Sequence, residues 1–331
     1  MPVVARPEWR RIVFASGVAV LGGWLSWTAH PGIYVLPRSD FAQIQAAGTA
    51  WLEGKNPYTF IGPGREYDQY FPLFYPFTAV LASLPFRFAA IPDAAFAGMG
   101  AGLFAWAISA RHRYAWVGIL TPAFIYSVRM SQWAPLLIGA SLVPSLGWLL
   151  ACKPTVGAAF WAAYPSRRSL GGAGLFAIAS LLLFPTWPKY WLQDLPAATH
   201  LRAPISFQAG PLLLFSLLRW RRPEARLLAA LSVIPQTPEL YETLPLFLIP
   251  NSAGQAALLA ALNYGIVFAR GNLPVPPDYI GDTALTGQWM VWLQYVPCLI
   301  MILARSNSET APTRDAMTSG PDARATLSPT A

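Results

Sequence analysis

The chain has 331 residues, of which 55% are hydrophobic and only 11% charged, with a mean hydropathy of +0.41; a soluble domain carries about 25% charged residues. The net charge of +8 is spread in twos and threes, with no polar domain to gather it on one face, which excludes a nucleic-acid binder and suits the basic anchors of a membrane protein. Cys152 and Cys298 lie in apolar runs far apart and read as buried thiols, with no zinc spacing and no metal site.

A basic head, Arg6, Arg10 and Arg11, precedes the apolar run Ile12 to Ala29, which has no clear cleavage site and predicts a retained first span with the head in the cytoplasm. Asp40 then falls outside. Phe41, Ile44, Ala47 and Trp51 recur at helical spacing and predict an amphipathic helix on the membrane surface, N-capped by Asp40 and stopped at Gly54. Asn56 and Pro57 make a turn, and a polar loop leads to Tyr70, Phe71 and Pro72. Leu73 to Phe88, Ile91 to Ala110, Tyr114 to Val128 and Trp133 to Leu150 read as four further spans, a count that puts Arg111 and Arg113 outside, against the positive-inside tendency. Lys153 and Pro154 interrupt the next apolar stretch. Arg167 and Arg168 mark a cytoplasmic turn, Leu170 to Phe184 crosses outward, and Pro185 to Ser206 forms a second outer segment with His200 and Arg202. Arg219, Arg221, Arg222 and Arg226 fix a cytoplasmic loop. Pro235, Pro238 and Pro245, with Glu239 and Glu242, break the following region into a discontinuous hairpin. Ala256 to Phe268 and Trp289 to Leu303 are the last spans, joined by an outer loop from Arg270 to about Thr286.

The expected fold is therefore an all-α polytopic membrane protein, a single transmembrane domain over residues 1–305 with about 9 to 12 helices counting broken ones. Residues 306–331, rich in Ser, Thr and Pro, predict a disordered cytoplasmic tail. Neither an internal repeat nor a soluble domain is evident.

An Asp after the first span, a helix ending in Gly54-Lys55-Asn56-Pro57-Tyr58, an aromatic-proline run Tyr70-Phe71-Pro72-Leu73, then Ser131-Gln132 and Lys153-Pro154 together resemble the polytopic glycosyltransferases of the GT-C superfamily. More narrowly they are similar to the polyprenol-phosphate-dependent mannosyltransferases of glycosyltransferase family 87 (DUF2029). The match covers less than a third of the chain. Phe71 stands where that family has the first of two prolines, Ser131 stands where it has glycine, and the segment from Gln132 to Lys153 is shorter. The resemblance implies a GT-C-like bundle in the plasma (inner) membrane, a polyprenyl-phosphate sugar as donor, a lipid or glycan hydroxyl as acceptor, and transfer of a hexose, mannose in that family.

Such a transfer needs a base for the acceptor hydroxyl, and Asp40 is the candidate; the helix N-terminus is expected to stabilise its anion and make it a slightly weaker base. Lys55, Arg65, His200 and Arg202 are candidate donors to the phosphate, which leaves without a metal cofactor when a cation assists it. Tyr58 and Tyr70 frame the gap between loop and lipid, Lys153 is expected in a structural or lipid-phosphate contact, and Glu239 and Glu242 in lining the acceptor side. Two rival classes predict different sequences: a transporter shows mid-helix polar groups and paired halves, and a non-catalytic partner subunit loses the outer carboxylates.

Overall fold

A computed structural model describes residues 8–29, 39–111, 114–272 and 278–307. The predicted tail beyond Asn307, together with Arg6, Arg38 and Arg113, lies outside these residues. The chain is helical, with one short parallel pairing of Ile61 and Gly62 to Tyr67 and Asp68. Among the described residues two stretches are long and apolar enough to cross a membrane, Pro92–Ala110 and Tyr279–Leu303, and a bent pair, Arg167–Leu183 with Trp187–Ala197, makes a third if counted as one span.

Helix α1 (Glu8–Trp27) lies antiparallel to α5 (Pro92–Arg111). Arg11 at the start of α1 reaches Ser109 Oγ and the Trp106 carbonyl near the end of α5. Their backbones approach through small residues: a Cβ on Gly22 would meet that of Ala101 at 2.6 Å, and one on Gly102 would meet Ala19 at 2.9 Å. Close backbone packing of this kind holds helices together where no hydrophobic effect does.

Between them the chain builds a layer at one end of the bundle. Helix α2 (Asp40–Leu52) is capped by Ser39, whose Oγ accepts from the Ala42 amide, so Asp40 is the first helical residue rather than the predicted cap. Its apolar face meets protein instead of lipid, with Phe41 stacked on Phe96 at 3.9 Å and edge-on to Phe86. Asn56 caps the single turn α3 (Pro57–Phe60). The predicted second span is only α4 (Phe77–Ser83) and a 3₁₀ segment, Leu84–Phe88. Pro76 and Pro85 bound the α-helical turns, because a proline offers no amide to the ladder. This arm folds back along α2, where Gln45 Nε2 donates to the Ser83 carbonyl at 2.9 Å. Folded back in this way, the arm lets α5 start beside Asp40, and the Arg111 end of α5 returns to the start of α1. Arg111 therefore lies at the same end of the bundle as Arg11, not at the Asp40 end.

The predicted span Tyr114 to Val128 is a 3₁₀ segment, Ala115–Leu120, and α6 (Pro122–Arg129), broken at Thr121-Pro122. Trp133 to Leu150 is likewise two arms, α7 (Ala134–Leu142) and the 3₁₀ segment Pro144–Cys152, hinged at Val143-Pro144. The second arm returns toward the Asp40 end, where Thr78 Oγ1 donates to the Ala151 carbonyl at 2.7 Å. Lys153 follows. Helix α8 (Pro154–Ala163) runs away from that end, α9 (Arg167–Leu183) runs back, and α10 (Trp187–Asp194) lies in the Asp40-end layer, where Trp191 Nε1 donates to the Phe74 carbonyl at 2.8 Å.

The 3₁₀ segment Gly210–Arg219, α11 (Pro223–Val233), the 3₁₀ segment Leu240–Leu248 and α12 (Ala253–Asn272) alternate in direction. Helices α13 (Tyr279–Met290) and α14 (Val296–Leu303) are joined through one π-helical stretch. Because α12 continues to Asn272 and α13 starts at Tyr279, the predicted outer loop shrinks, and Arg270 and Asp282 are both helical. At the far end Arg219 binds the Leu303 and Arg305 carbonyls, Arg222 that of Ser306, and Arg226 those of Ala162 and Ala163. This arginine cluster, like Arg11, thus lies opposite Asp40. Large apolar residues such as Val20, Trp24, Leu182, Phe215 and Phe268 stay exposed on the flanks, the surface a bilayer would cover.

Candidate functional site

The Asp40 end holds a cavity of about 580 Å³, within the size range of small-molecule sites. One wall is the start of α2. Asp40 Oδ2 accepts a short hydrogen bond from Gln132 Nε2, joining two residues far apart in sequence. The turn that brings Gln132 there needs Ser131 at φ +49°, the left-handed region that glycine occupies without strain. Ser131 is held by its hydroxyl, bonded to Ser26 Oγ at 3.0 Å and donating to the Asp93 carbonyl at 3.3 Å. Burial raises the Asp40 carboxyl above the usual carboxylate range; the bond from Gln132 and the charge of Lys153 pull it back, and Glu242 adds to the rise. Burial is the largest cause and raises the carboxyl, against the slightly weaker base that the helix N-terminus alone suggested.

Lys153 lines the cavity floor and is ion-paired to Glu242, which is 1% exposed. Its ammonium also lies 5.8 Å from the Tyr241 ring. Glu239, on the same lining and 4% exposed, has Oε2 3.7 Å from Arg270 Nη1. Arg270 is itself committed to Asp282 through two hydrogen bonds. His200, 5% exposed, stacks on Phe71 at 4.4 Å between ring centres, with Tyr279 5.9 Å away. Gln43 Nε2 ties this aromatic turn to α2 by donating to the Phe71 carbonyl at 2.7 Å.

The structure brings together Asp40, Tyr70, Lys153, His200 and Glu239 on one cavity, with Glu242 behind Lys153. The other four nominated residues stand apart from its lining. Lys55 is paired to Glu53 at 2.8 Å and Glu66 at 2.5 Å on the loop surface. Arg65 Nη1 donates to the Tyr58 and Ile61 carbonyls at 2.5 and 2.8 Å, pinning its own loop. The Tyr58 side chain is buried, with its hydroxyl donating to the Tyr75 carbonyl at 3.1 Å. Arg202 is exposed, with its guanidinium 5.1 Å from the Phe207 ring. His200 is also no phosphate cation at neutral pH, since burial pushes its imidazole down to about 4. Glu239 and Glu242 are both buried, and only Glu239 is on the lining itself. The sequence reading did not nominate Gln132, Gln236, Arg270 or Tyr279 for the site; Gln132 alone carried a signal, in the Ser-Gln that follows α6.

Two titrations at this site oppose each other. With His200 at about 4 instead of its ordinary 6.5, the unfolded chain binds the extra proton, so stability is lost as pH falls from 6.5 through 4. Burial lifts Glu239 from 4.5 to about 7, opposed by Arg270 and reinforced by Asp282 and Asp40. Here the folded chain holds the proton, and stability is lost as pH rises from 4.5 through 7. Glu239→Gln is expected to leave a thermal midpoint that climbs with pH across the His200 window. His200→Phe is expected to leave one that declines across the Glu239 window. Parallel pH profiles in the two variants would contradict both assignments.

Among the described residues no group of three or more His, Cys, Asp or Glu side chains has the arrangement of a metal site. No protein-family model, curated protein or solved structure matches the chain.

Proposed function

We propose that the chain is a membrane glycosyltransferase of the GT-C kind, moving a hexose, on the resemblance mannose, from a polyprenyl phosphate to a lipid or glycan hydroxyl. The observation that carries this reading is the meeting of Asp40, Gln132 and Lys153 around one cavity. These are the residues of three separate motif pieces, and nothing in their sequence spacing brings them together. In the proposed reaction Asp40 takes the proton of the acceptor hydroxyl as its oxygen bonds to the anomeric carbon. The bond from that carbon to the phosphate oxygen breaks, its electron pair leaves with the lipid phosphate, and attack from the opposite face inverts the anomeric centre. Lys153 is the one Lys or Arg on the cavity lining among the described residues, so it is the cation proposed to face the leaving phosphate. The finer fold reading, about 9 to 12 transmembrane helices counting broken ones, takes the shorter rods between the two ends as membrane segments.

The proposed orientation puts the arginine end in the cytoplasm and the cavity outside. Cysteines introduced at Thr59 and Thr199 are expected to react with an impermeant thiol reagent on intact cells, and one at Ser306 only after permeabilisation. Cys152 and Cys298 are buried and give little background. The reverse pattern would move the cavity to the cytoplasmic face. The activity itself is tested in vesicles of known orientation, where label from a polyprenyl-phosphate hexose supplied on the cavity side should pass into a new lipid or glycan product.

A further inference from the structure

The buried polar atoms around the cavity that lack a protein hydrogen-bond partner include Gln132 Oε1, His200 Nδ1, Gln236 Oε1 and Glu239 Oε2, together with one donor, Gln69 Nε2, elsewhere on the lining. The orientation of the Gln132 and Gln236 amides is fixed by what their nitrogens do. Gln132 Nε2 donates to Asp40, and Gln236 Nε2 donates to the Leu231 carbonyl at 3.4 Å as well as to the Tyr295 hydroxyl at 2.8 Å. Each oxygen is therefore left as an acceptor. Glu239 Oε2 is an acceptor when ionised and stands beyond hydrogen-bond reach of Arg270, at 3.7 Å. A neutral imidazole offers one acceptor nitrogen as well. His200, Gln236 and Glu239 all line the cavity, and Gln132 sits behind Asp40.

Buried acceptors without donors are costly, so the occupant of this wall is one that brings donors. An inorganic phosphate dianion brings a single O–H, too few for these acceptors, and at this wall it would also meet the carboxylate of Glu239. A quaternary ammonium suits acidic, aromatic surroundings through its charge but has no N–H to give. A pyranose ring supplies several O–H donors on its edge and a C–H face for aromatic rings. Phe71, Phe74, Tyr75, Trp191 and Tyr279 provide such rings on the same cavity.

We propose that the wall carrying His200, Gln236 and Glu239 is a subsite for an uncharged sugar ring, whose hydroxyls donate to these three residues while its C–H face lies on the neighbouring aromatic side chains. The subsite deepens the proposed function and rests on it for its role in the reaction, whereas its occupancy is measurable without turnover. The phosphate of a lipid-linked sugar then lies toward Lys153.

The test uses the full chain in lipid nanodiscs, so that no glycosidic detergent competes, with methyl hexopyranosides of the manno, gluco and galacto series as probes and saturation-transfer NMR as the readout. At least one pyranoside is expected to bind saturably. His200→Phe keeps the stack on Phe71 and removes the ring nitrogens; Glu239→Gln trades an acceptor for a donor. Each is expected to weaken binding about tenfold, the loss of one hydrogen bond of moderate strength, while thermal unfolding confirms that the variant is folded. Inorganic phosphate and tetramethylammonium are expected not to displace the pyranoside. Absence of binding by every pyranoside, displacement by phosphate or tetramethylammonium, or wild-type affinity in both folded variants overturns the subsite. Binding without transfer from any polyprenyl-phosphate sugar would keep the subsite and remove the proposed function; transfer without pyranoside binding would do the reverse.

Discussion

Asp40→Asn is expected to lower turnover by at least about 100-fold, the lower range for removing a general base. The substitution is nearly isosteric, and Ser39 rather than Asp40 caps α2, so the helix keeps its N-terminal bond to Ala42. Gln132 Nε2 can still donate to the remaining carbonyl oxygen of an asparagine. What is lost is the basic oxygen whose proton affinity burial has raised. The variant should insert and unfold like wild type while a single-turnover assay of sugar transfer slows, with the defect in kcat rather than in KM. Full activity in a folded Asn variant would remove Asp40 from the chemistry.

Glu242→Ala is expected to destabilise the protein by roughly 3–5 kcal/mol, because it strands the Lys153 charge beneath the cavity. Glu242 is 1% exposed and its ion pair to Lys153 is the local compensation for that charge. Replacing both residues together, Lys153→Met with Glu242→Leu, should cost much less, since no charge is left uncompensated. Equilibrium unfolding of both variants separates the cases. Equal losses in the single and double replacements would show that packing, not charge, sets the cost. The double variant should nevertheless fail in transfer, because the cation proposed for the leaving phosphate is gone.

How far the sequence could be read depended on the range of each interaction. The segment from Phe41 to Pro57 was legible because its signals are local. Apolar residues recur at helical spacing, Gly54 adopts φ +78° just past the helix end, and the Asn56 side chain accepts from the Tyr58 amide. The face pattern alone could not say whether lipid or protein covers Phe41, and Phe96 and Phe86 settle it. Crossing counts failed at prolines. Pro85 and Pro144 turn two apparently spanning runs into arms that do not cross or that return, and hydropathy averages over such breaks. That single kind of error decided whether Lys153 faced Asp40 or the far end.

The site was half legible for a related reason. Asp40 and Lys153 stand out as charges in apolar surroundings, where a charge needs a partner. Their partners, Gln132 and Glu242, are separated from them by 92 and 89 residues, and no periodicity encodes such pairings. Lys55, Arg65 and Arg202 looked like phosphate ligands because loop cations commonly are. Glu53 and Glu66 take Lys55, and backbone carbonyls take Arg65. The Glu239, Arg270 and Asp282 group was invisible for the same reason as the pairings: it joins the loop before Leu240 to two helices whose ends the sequence assigned to an outer loop.

The central claim is that this cavity transfers a sugar from a lipid phosphate. The most direct measurement incubates the purified, folded wild-type chain with a panel of radiolabelled polyprenyl-phosphate hexoses and membrane-lipid acceptors, with and without EDTA, and follows label into product. The account predicts transfer from at least one donor, undiminished by EDTA. No transfer from any donor by folded protein, across a broad acceptor panel, would contradict it and favour a non-catalytic partner subunit.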